Sequence, residues 1–557
     1  MPPGFSNSAI VAPPSSSRDS KSPMEPIKTE PNLERAHRAC EKCTRTKKKC
    51  DKALPACSRC TRLATTCCYD FVYTAPAMTM VEPAALAGYL LGSQTGDKPG
   101  QNPAASRQHS ILDPDFDVHA ESIMQFFASR SLNWRDSCDL YFRTIHPWLS
   151  IVHHERFARS VADAGDATLR RPELALLVLC MQLVTQYADS GNSDQSSGPI
   201  MKLPAYMAAK RIFAVMRAMG EPNLELIQCG ILLGLFEFGH GDFNRAYITI
   251  GDANTMAELV QLRPGKYAES DRDAMPTPEQ EERRSTYWGL LIVDRLLHAE
   301  CRIMTLPFHV AAPVEDDLLP TINVIWDKHS QTPNTSIQHH PASVQPSVSL
   351  GIFQRLSQCA ILLTRAIELD QAPSGPQSVG AFSELDVATR ALIEAMFWQA
   401  SRWGEYQECF ATCTCVLLQI YCHHLHTIPA AQIHPHTSNV DVLKAIAGLN
   451  FTVRIITDTT TDLNDHLSRR PDLLAPCCPV TPYSAYHCLR ILGNLEHIIP
   501  DADTRFHDIY SSLHFFAKRW TSAEHLVQKV ELFLIEKDTA TGFSDPDYFN
   551  RGTSSDS

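Results

Sequence analysis

Cys40, Cys43, Cys50, Cys57, Cys60 and Cys67 stand in two copies of one spacing, Cys-x2-Cys-x6-Cys, joined by a six-residue connector that contains Pro55. Each Cys-x2-Cys pair can bite one metal ion, and the third cysteine of each half closes from about two helical turns further on. Six thiolates cannot fill two separate four-coordinate sites unless two of the sulfurs are shared. Thiolate sulfur has the lone pairs to bridge, and an all-sulfur tetrahedral set suits Zn²⁺. With both ions saturated by sulfur, no coordination position is left for water. The metal chemistry expected of this stretch is therefore structural and not catalytic, and the binding free energy of the ions is folding free energy for the small module around them. A disulfide framework would need an oxidising compartment, and Met1 to Ser20 has no apolar core of a secretory leader. A zinc deaminase would show His-x-Glu ahead of its cysteine pair, and His37-Arg38-Ala39 lacks the glutamate.

Charge singles out the same stretch. Residues 35–71 carry ten Lys and Arg against Glu41, Asp51 and Asp70, a formal +7. Six thiolates and two Zn²⁺ lower that to +5, while the rest of the chain holds 40 basic and 59 acidic residues. A small basic module on an acidic body is the electrostatic footprint of nucleic-acid binding confined to one end. Phosphate contacts would set affinity and its salt dependence, and base-edge contacts would set specificity.

These residues resemble the fungal binuclear zinc-cluster (Zn₂Cys₆) transcription factors. The resemblance rests on Lys47 and Lys49 between the second and third cysteines, on Cys50-Asp51, on Pro55 before the fourth cysteine, and on Cys67-x-Tyr69 at the end. It implies that Cys40 and Cys57 bridge two Zn²⁺ ions, that Cys43 and Cys50 complete one site, and that Cys60 and Cys67 complete the other. Cys68 is a rival for Cys67, but the x6 count and Tyr69 favour Cys67. The resemblance further implies a nuclear, zinc-dependent, sequence-specific regulator of RNA polymerase II transcription and no enzyme. A short helix after Cys43 would enter the major groove of double-stranded DNA, with Lys47 reading guanine in a CGG-type triplet. Lys47, Lys48, Lys49, Arg45, Thr46 and Arg38 are the expected DNA contacts. Thr44 and Thr46 depart from the family, where basic residues are usual. They motivate an alternative: a zinc-cluster co-regulator that acts through protein interactions without direct base readout.

The rest of the chain must carry and regulate this module. At 557 residues it is too long for one ordinary core. The expected fold class is mainly α: a small cluster module at 35–71, a flexible linker at 72–117, and a large all-helical regulatory domain at 118–537. The tail at 1–34 is rich in Pro and Ser and is read as disordered; Ile27-Lys28-Thr29-Glu30 in it resembles a sumoylation acceptor, and Ser22-Pro23 a proline-directed kinase site. The segment 538–557 mixes acids with Phe543, Tyr548 and Phe549 and is read as a disordered tail, either an activation segment or a frayed polar terminus. The linker offers one short helix, Glu82 to Leu91, and no a/d heptad over three repeats, so a zipper dimer is not supported. Between 118 and 537 apolar residues recur at helical steps, separated by Pro, Gly and Asn. The expected helices are 119–130, 135–145, 172–188, 203–219, 223–238, 243–261, 277–299, 349–370, 382–402, 406–427, 439–466, 482–498 and 504–535 with a break. No apolar run reaches the ~20 residues of a membrane span. Twelve further cysteines are scattered, mostly in apolar contexts such as Cys180 and Cys229, where a free thiol behaves as a small hydrophobe.

Three segments of the body resemble the fungal-specific transcription factor (middle homology) region. They are the Tyr141-Phe142 … His146-Pro147-Trp148 … His153 … Phe157 run, the Tyr247 … Gly251 … Ala253 … Ala257 run, and Glu281 to Arg295 followed by Pro307 and the acidic loop Glu315 to Asp317. Arg284, Trp288 and Asp294 read as a buried polar clamp between helices, and Ala253 and Ala257 as a place where another helix approaches closely. Residues 325–348 read as an exposed, mobile polar loop. Cys422 and His426 share a helix face on which a metal site is conceivable, with His434 and His436 beyond it. The partners expected besides DNA are coactivators or the transcription machinery and a small-molecule effector, and the protein either binds as a monomer or pairs with a second copy through its body.

Overall fold

The computed structural model describes most of residues 39–67 and of 116–540, with the longer breaks at 164–170, 188–199, 267–275 and 322–338. The chain divides at residues 107/108 into two units. The first contributes one complete short helix, α1 (Ser58–Arg62), and a helical pair at Lys42–Cys43. Among the described residues the second unit is helical throughout. Its pairings outside helices are two isolated antiparallel bridges, Lys266 with Asp317 and Leu318 with Pro341. The tail with Lys28 and Ser22, the linker helix at 82–91, residues 541–557, His434 and His436 lie outside the described residues.

The body opens with α2 (Phe116–Ser129), α3 (Trp134–Thr144), α4 (His154–Asp163), α5 (Pro172–Thr185), α6 (Pro204–Met219), α7 (Leu224–Gly239), α8 (Phe243–Leu259) and α9 (Pro278–Leu297). Helix α7 is capped by Asn223, whose side chain accepts from the Leu226 N–H, and every residue from Leu226 to Gly239 is buried. A helix apolar all round is stable only when covered on all sides, and α5, α8 and α9 supply that cover. Glycine permits the closest approach: a Cβ at Gly230 would lie 2.8 Å from Ala253 Cβ on α8, and one at Gly234 would lie 2.6 Å from Ile250 Cδ1. The small residue at 253 therefore does admit a neighbouring helix.

Helix α9 starts with a full capping box between Thr277 and Gln280 and Pro278 in the first turn. The expected clamp is present on this helix; most of its bonds hold loops to the helix, and Arg295, paired with Asp294, joins it to the later helix Ile352–Gln371 by donating to Thr364 Oγ1 at 2.7 Å. Arg284 donates to the Pro264 carbonyl at 2.9 Å and to Glu281 at 2.7 Å, and the Trp288 indole N–H donates to the Leu318 carbonyl at 2.7 Å. Asp294 pairs with Arg295 and accepts the Val310 N–H at 3.2 Å. Loop carbonyls and N–H groups have no ladder of their own, so buried side chains satisfy them. For the same reason the far part of the 325–348 loop is packed and not free. Ala342 N–H donates to Asp317 O at 2.7 Å, Leu319 N–H donates to His340 O at 2.9 Å, and His339 is buried.

The second half runs through α10 (Ile352–Gln371), α11 (Pro376–Gln399), α12 (Gln407–His426), α13 (Val440–Arg469), α14 (Val480–Asn494), α15 (Ala502–Ala517) and α16 (Thr521–Ala540). Lys518 to Trp520 make the break between the last two, and α16 continues to Ala540. That break ties the two halves together. Buried Arg519 donates to the Gln186 carbonyl at 2.7 Å at the end of α5, and Trp520 Nε1 donates to Cys477 O at 2.8 Å. A Cβ on Gly239 would fall 2.2 Å from the Trp520 ring. Helix α4 was not among the expected helices; its ten residues are strongly amphipathic and bury mainly Phe157.

Candidate metal centre

The six cysteines converge in two groups of four: Cys40, Cys43, Cys50 and Cys57, and Cys40, Cys57, Cys60 and Cys67. Within each group the sulfurs lie within 4.8 Å of one another, and Cys40 and Cys57 belong to both. Their chemistry and spacing fit a pair of zinc ions. A tetrahedral thiolate site with Zn–S near 2.3 Å places its sulfurs about 3.8 Å apart. The Cys40–Cys57, Cys40–Cys60 and Cys43–Cys57 separations are 3.7, 3.7 and 3.8 Å. The module thus presents two four-cysteine candidate metal sites with two shared corners, an arrangement in which six sulfurs could serve eight positions. Cys40, Cys43, Cys57 and Cys60 are buried, and Cys50 and Cys67 are half-buried at the edge.

Backbone geometry favours the anion at Cys57 and Cys67, while burial raises Cys40 and Cys43. Cys57 is the N-cap of α1, and its Sγ accepts the Cys60 N–H at 3.4 Å; Cys67 Sγ accepts the Cys57 N–H at 3.2 Å. Burial alone would raise both thiols, but these N–H donors and the neighbouring sulfurs outweigh it and lower them. Burial pushes Cys43 up to about 11. Asp51 ties the two halves. Its carboxylate accepts the Ser58 N–H at 3.1 Å and the Ser58 hydroxyl, and the hydroxyl is the larger reason its own proton affinity is lowered. The Cys50-Asp51 pattern contained that residue, but its role as a strap onto the start of α1 is visible only in the structure.

Lys47 ends the helical turn that starts at Lys42. Thr46 N–H donates to Lys42 O at 3.1 Å and Lys48 N–H donates to Cys43 O at 2.9 Å, while Lys47 has φ of +49°. This is a Schellman ending with lysine at the left-handed position that usually takes glycine. Lys47, Lys48 and Lys49 are all exposed. Thr46 turns its hydroxyl back onto Lys42 O at 2.8 Å, which leaves that donor engaged within its own turn. Arg38, Arg45, Pro55, Cys68 and Tyr69 lie outside the described residues.

Among the described residues Cys422 and His426 join no group of three metal-ligating atoms. His423 bonds Asp370 at 3.0 Å and His424 stacks on Phe382. Among the described residues the groups of three or more close metal-ligating atoms are the two cysteine sets alone. No helix of the described residues is long and apolar enough to cross a membrane.

Comparison with known proteins divides the chain in the same places. Residues 38–71 match the family described as the fungal Zn(2)-Cys(6) binuclear cluster domain, and residues 138–374 match the fungal specific transcription factor domain. Transcription factor BOA15 of Botryotinia fuckeliana is 31% identical over 111 residues, 20% of this chain and 57% of its own length. The pigment biosynthesis transcriptional activator pigB of Monascus ruber is 26% identical over 177 residues, 30% of this chain and 29% of its own. The citrinin biosynthesis transcriptional activator ctnR of Monascus purpureus is 26% identical over 167 residues, 28% of this chain and 27% of its own. The chain thus spans little more than half of the first relative's length and under a third of the other two. No solved structure matches.

Proposed function

We propose, from the premise that the chain belongs to the fungal Zn₂Cys₆ transcription factors, that it is a zinc-dependent, sequence-specific DNA-binding regulator of RNA polymerase II transcription acting in the nucleus. Cys40, Cys43, Cys50, Cys57, Cys60 and Cys67 hold two structural zinc ions, with Cys40 and Cys57 as the bridging pair. When bound, the ions supply cross-links that order a segment too small to have a core of its own. The chain's own residues do the recognition. The turn from Lys42 to Lys48 enters the major groove, Lys47 donates to guanine O6 and N7 of a CGG-type triplet, and Lys48, Lys49, Arg45, Arg38 and Thr46 lie along the phosphates and base edges.

The observation that carries this reading is the left-handed backbone at Lys47. It lies between Cys43 and Cys50, and the lysine there is exposed. Residues held in a sparsely populated conformation at an exposed site point to a task for the side chain. The helical body is read as the regulatory part, acting through coactivators, the transcription machinery or a small-molecule effector. The names of the two Monascus relatives favour activation of biosynthetic genes. A gel-shift series against CGG-containing duplexes tests the proposal, with Cys40→Ala and Lys47→Ala as controls. Binding lost in both variants and retained in a surface Lys→Ala variant of the body is the expected result. CGG duplexes bound no better than scrambled ones would instead favour a co-regulator that works through protein contacts, which the engaged Thr46 hydroxyl is compatible with.

A further inference from the structure

Three buried cysteines of the helical body stand together. Cys409 and Cys413, one turn apart on α12, face Cys359 on α10, and the Cys359 and Cys413 sulfurs are 3.5 Å apart, in van der Waals contact. All three are fully buried. The carbonyl of Ile352 lies 3.6 Å from the Cys409 sulfur on the other side. One turn before Cys359 on the same helix is Arg355, also fully buried. Its guanidinium donates to Gln399 Oε1 at 2.9 Å, to Gln358 Oε1 at 2.8 Å, to the Pro346 carbonyl at 2.7 Å and to the Val348 carbonyl. All four acceptors are neutral, and among the described residues no carboxylate pairs with this cation.

A buried cation is costly unless an anion accompanies it. Cys359 is placed to supply the negative charge. Burial would raise its thiol, but the Cys409 and Cys413 thiols and the Arg355 charge outweigh that and bring it down to about 5. Cys413 is pushed the other way, chiefly by its contact with Cys359. The ordinary buried thiols of this body behave differently: burial pushes Cys415 and Cys477 up to about 12. Of the three sulfurs in contact, Cys359 is thus the one whose surroundings favour the thiolate, and the Cys413 sulfur beside it is close enough to resolve an oxidised partner.

We propose that Cys359 and Cys413 are a modification site for hydroperoxides, closing as a disulfide that staples α10 to α12. The Cys359 thiolate attacks one peroxide oxygen, the S–O bond forms, the O–O bond breaks, and the alkoxide or hydroxide leaves and takes up a proton. The Cys413 sulfur then attacks the sulfenic sulfur of Cys359. The S–S bond forms, the S–O bond breaks, and the hydroxide leaves as water with the proton of Cys413. The two sulfurs together give up two electrons to the peroxide. The guanidinium is roofed by Pro346 and Val348 in a loop that is exposed at Ser343, Gln345, Ser347 and Ser349. The sulfurs are reached only when that packed loop opens locally, so the reaction is expected to be slow beside that of an exposed thiol.

The test uses the full-length, zinc-loaded protein. It is treated with hydrogen peroxide, denatured, alkylated at its remaining thiols, and mapped by peptide mass spectrometry without reduction. A Cys359–Cys413 cross-linked peptide that reducing agent abolishes is expected. Cys413→Ser should leave Cys359 as a sulfenic acid that a 1,3-dione traps, and Cys359→Ser should leave Cys413 a free thiol. Arg355→Gln should slow the cross-link about tenfold, with Arg355→Lys restoring it. The two serine variants change one atom each, so the mapping decides whether or not the Arg355 variants fold. Cys359 still fully alkylated at doses that oxidise other buried thiols of the chain overturns the proposal. So does a bridge from Cys359 to any cysteine other than Cys413.

Discussion

Replacing Lys47 by glycine separates the backbone role of this residue from its side-chain role. Its φ of +49° puts an L side chain in the left-handed region at the end of the Lys42 turn. That conformation costs an L residue roughly 1–2 kcal/mol and glycine nothing. Glycine loses more freedom on folding, which takes back about 0.5–1 kcal/mol. The net expectation for Lys47→Gly is a cluster module as stable as the wild type or more so by up to about 1 kcal/mol. The same change removes the ammonium that would donate to guanine, which should cost about 1–3 kcal/mol of CGG binding, or roughly 5- to 150-fold. Lys47→Ala should lose as much affinity without the relief. Chelator competition reports zinc retention, and fluorescence anisotropy at one fixed salt concentration reports affinity for CGG and scrambled duplexes. Wild-type CGG affinity in the glycine variant would refute the base-reading role, and weakened zinc retention in it would refute the backbone account.

Three further outcomes follow from particular residues. Removing zinc with a chelator should unfold the 39–67 module and abolish DNA binding while the helical circular dichroism of the body stays, because the two four-cysteine groups lie wholly in the first unit. Burial pushes Glu408 up to about 8 from its usual 4.5, so it is neutral in the folded body at pH 7. Its contribution to stability is complete below about pH 4.5, falls as the unfolded carboxylate ionises, and is lost by about pH 8, on the order of 4 kcal/mol between pH 5 and 8. Glu408→Gln should flatten that part of the curve in denaturant titrations run at several pH values, and an unchanged slope would remove Glu408 as its source. Gly289→Ala places a Cβ 2.1 Å from Ile151 Cγ2; it should cost about 1–3 kcal/mol by overpacking, measured by thermal or urea unfolding.

Spacing along the chain determined the metal site. Cys-x2-Cys-x6-Cys written twice limits which sulfurs can meet, because short loops hold their ends close whatever the rest of the chain does. The mainly helical class was legible for a similar reason: the 3.6-residue recurrence is local, as in the buried Cys138, Tyr141 and Thr144 of α3, while α5 and α7 are apolar all round and read as helices by their length. Three features were decided elsewhere. Asp51 strapping Ser58, the 339–348 loop packed under the acidic turn, and Arg355 held by neutral acceptors near Cys359 each depend on partners that share no periodicity with them. Helix α4 does not belong with these: its ten residues are strongly amphipathic, a local signal present in the sequence, although Phe157 is the main side chain they bury. Local pattern decides what each segment is inclined to be. Desolvation decides which buried charges and thiols must find one another, and it acts only once the helices have closed over them.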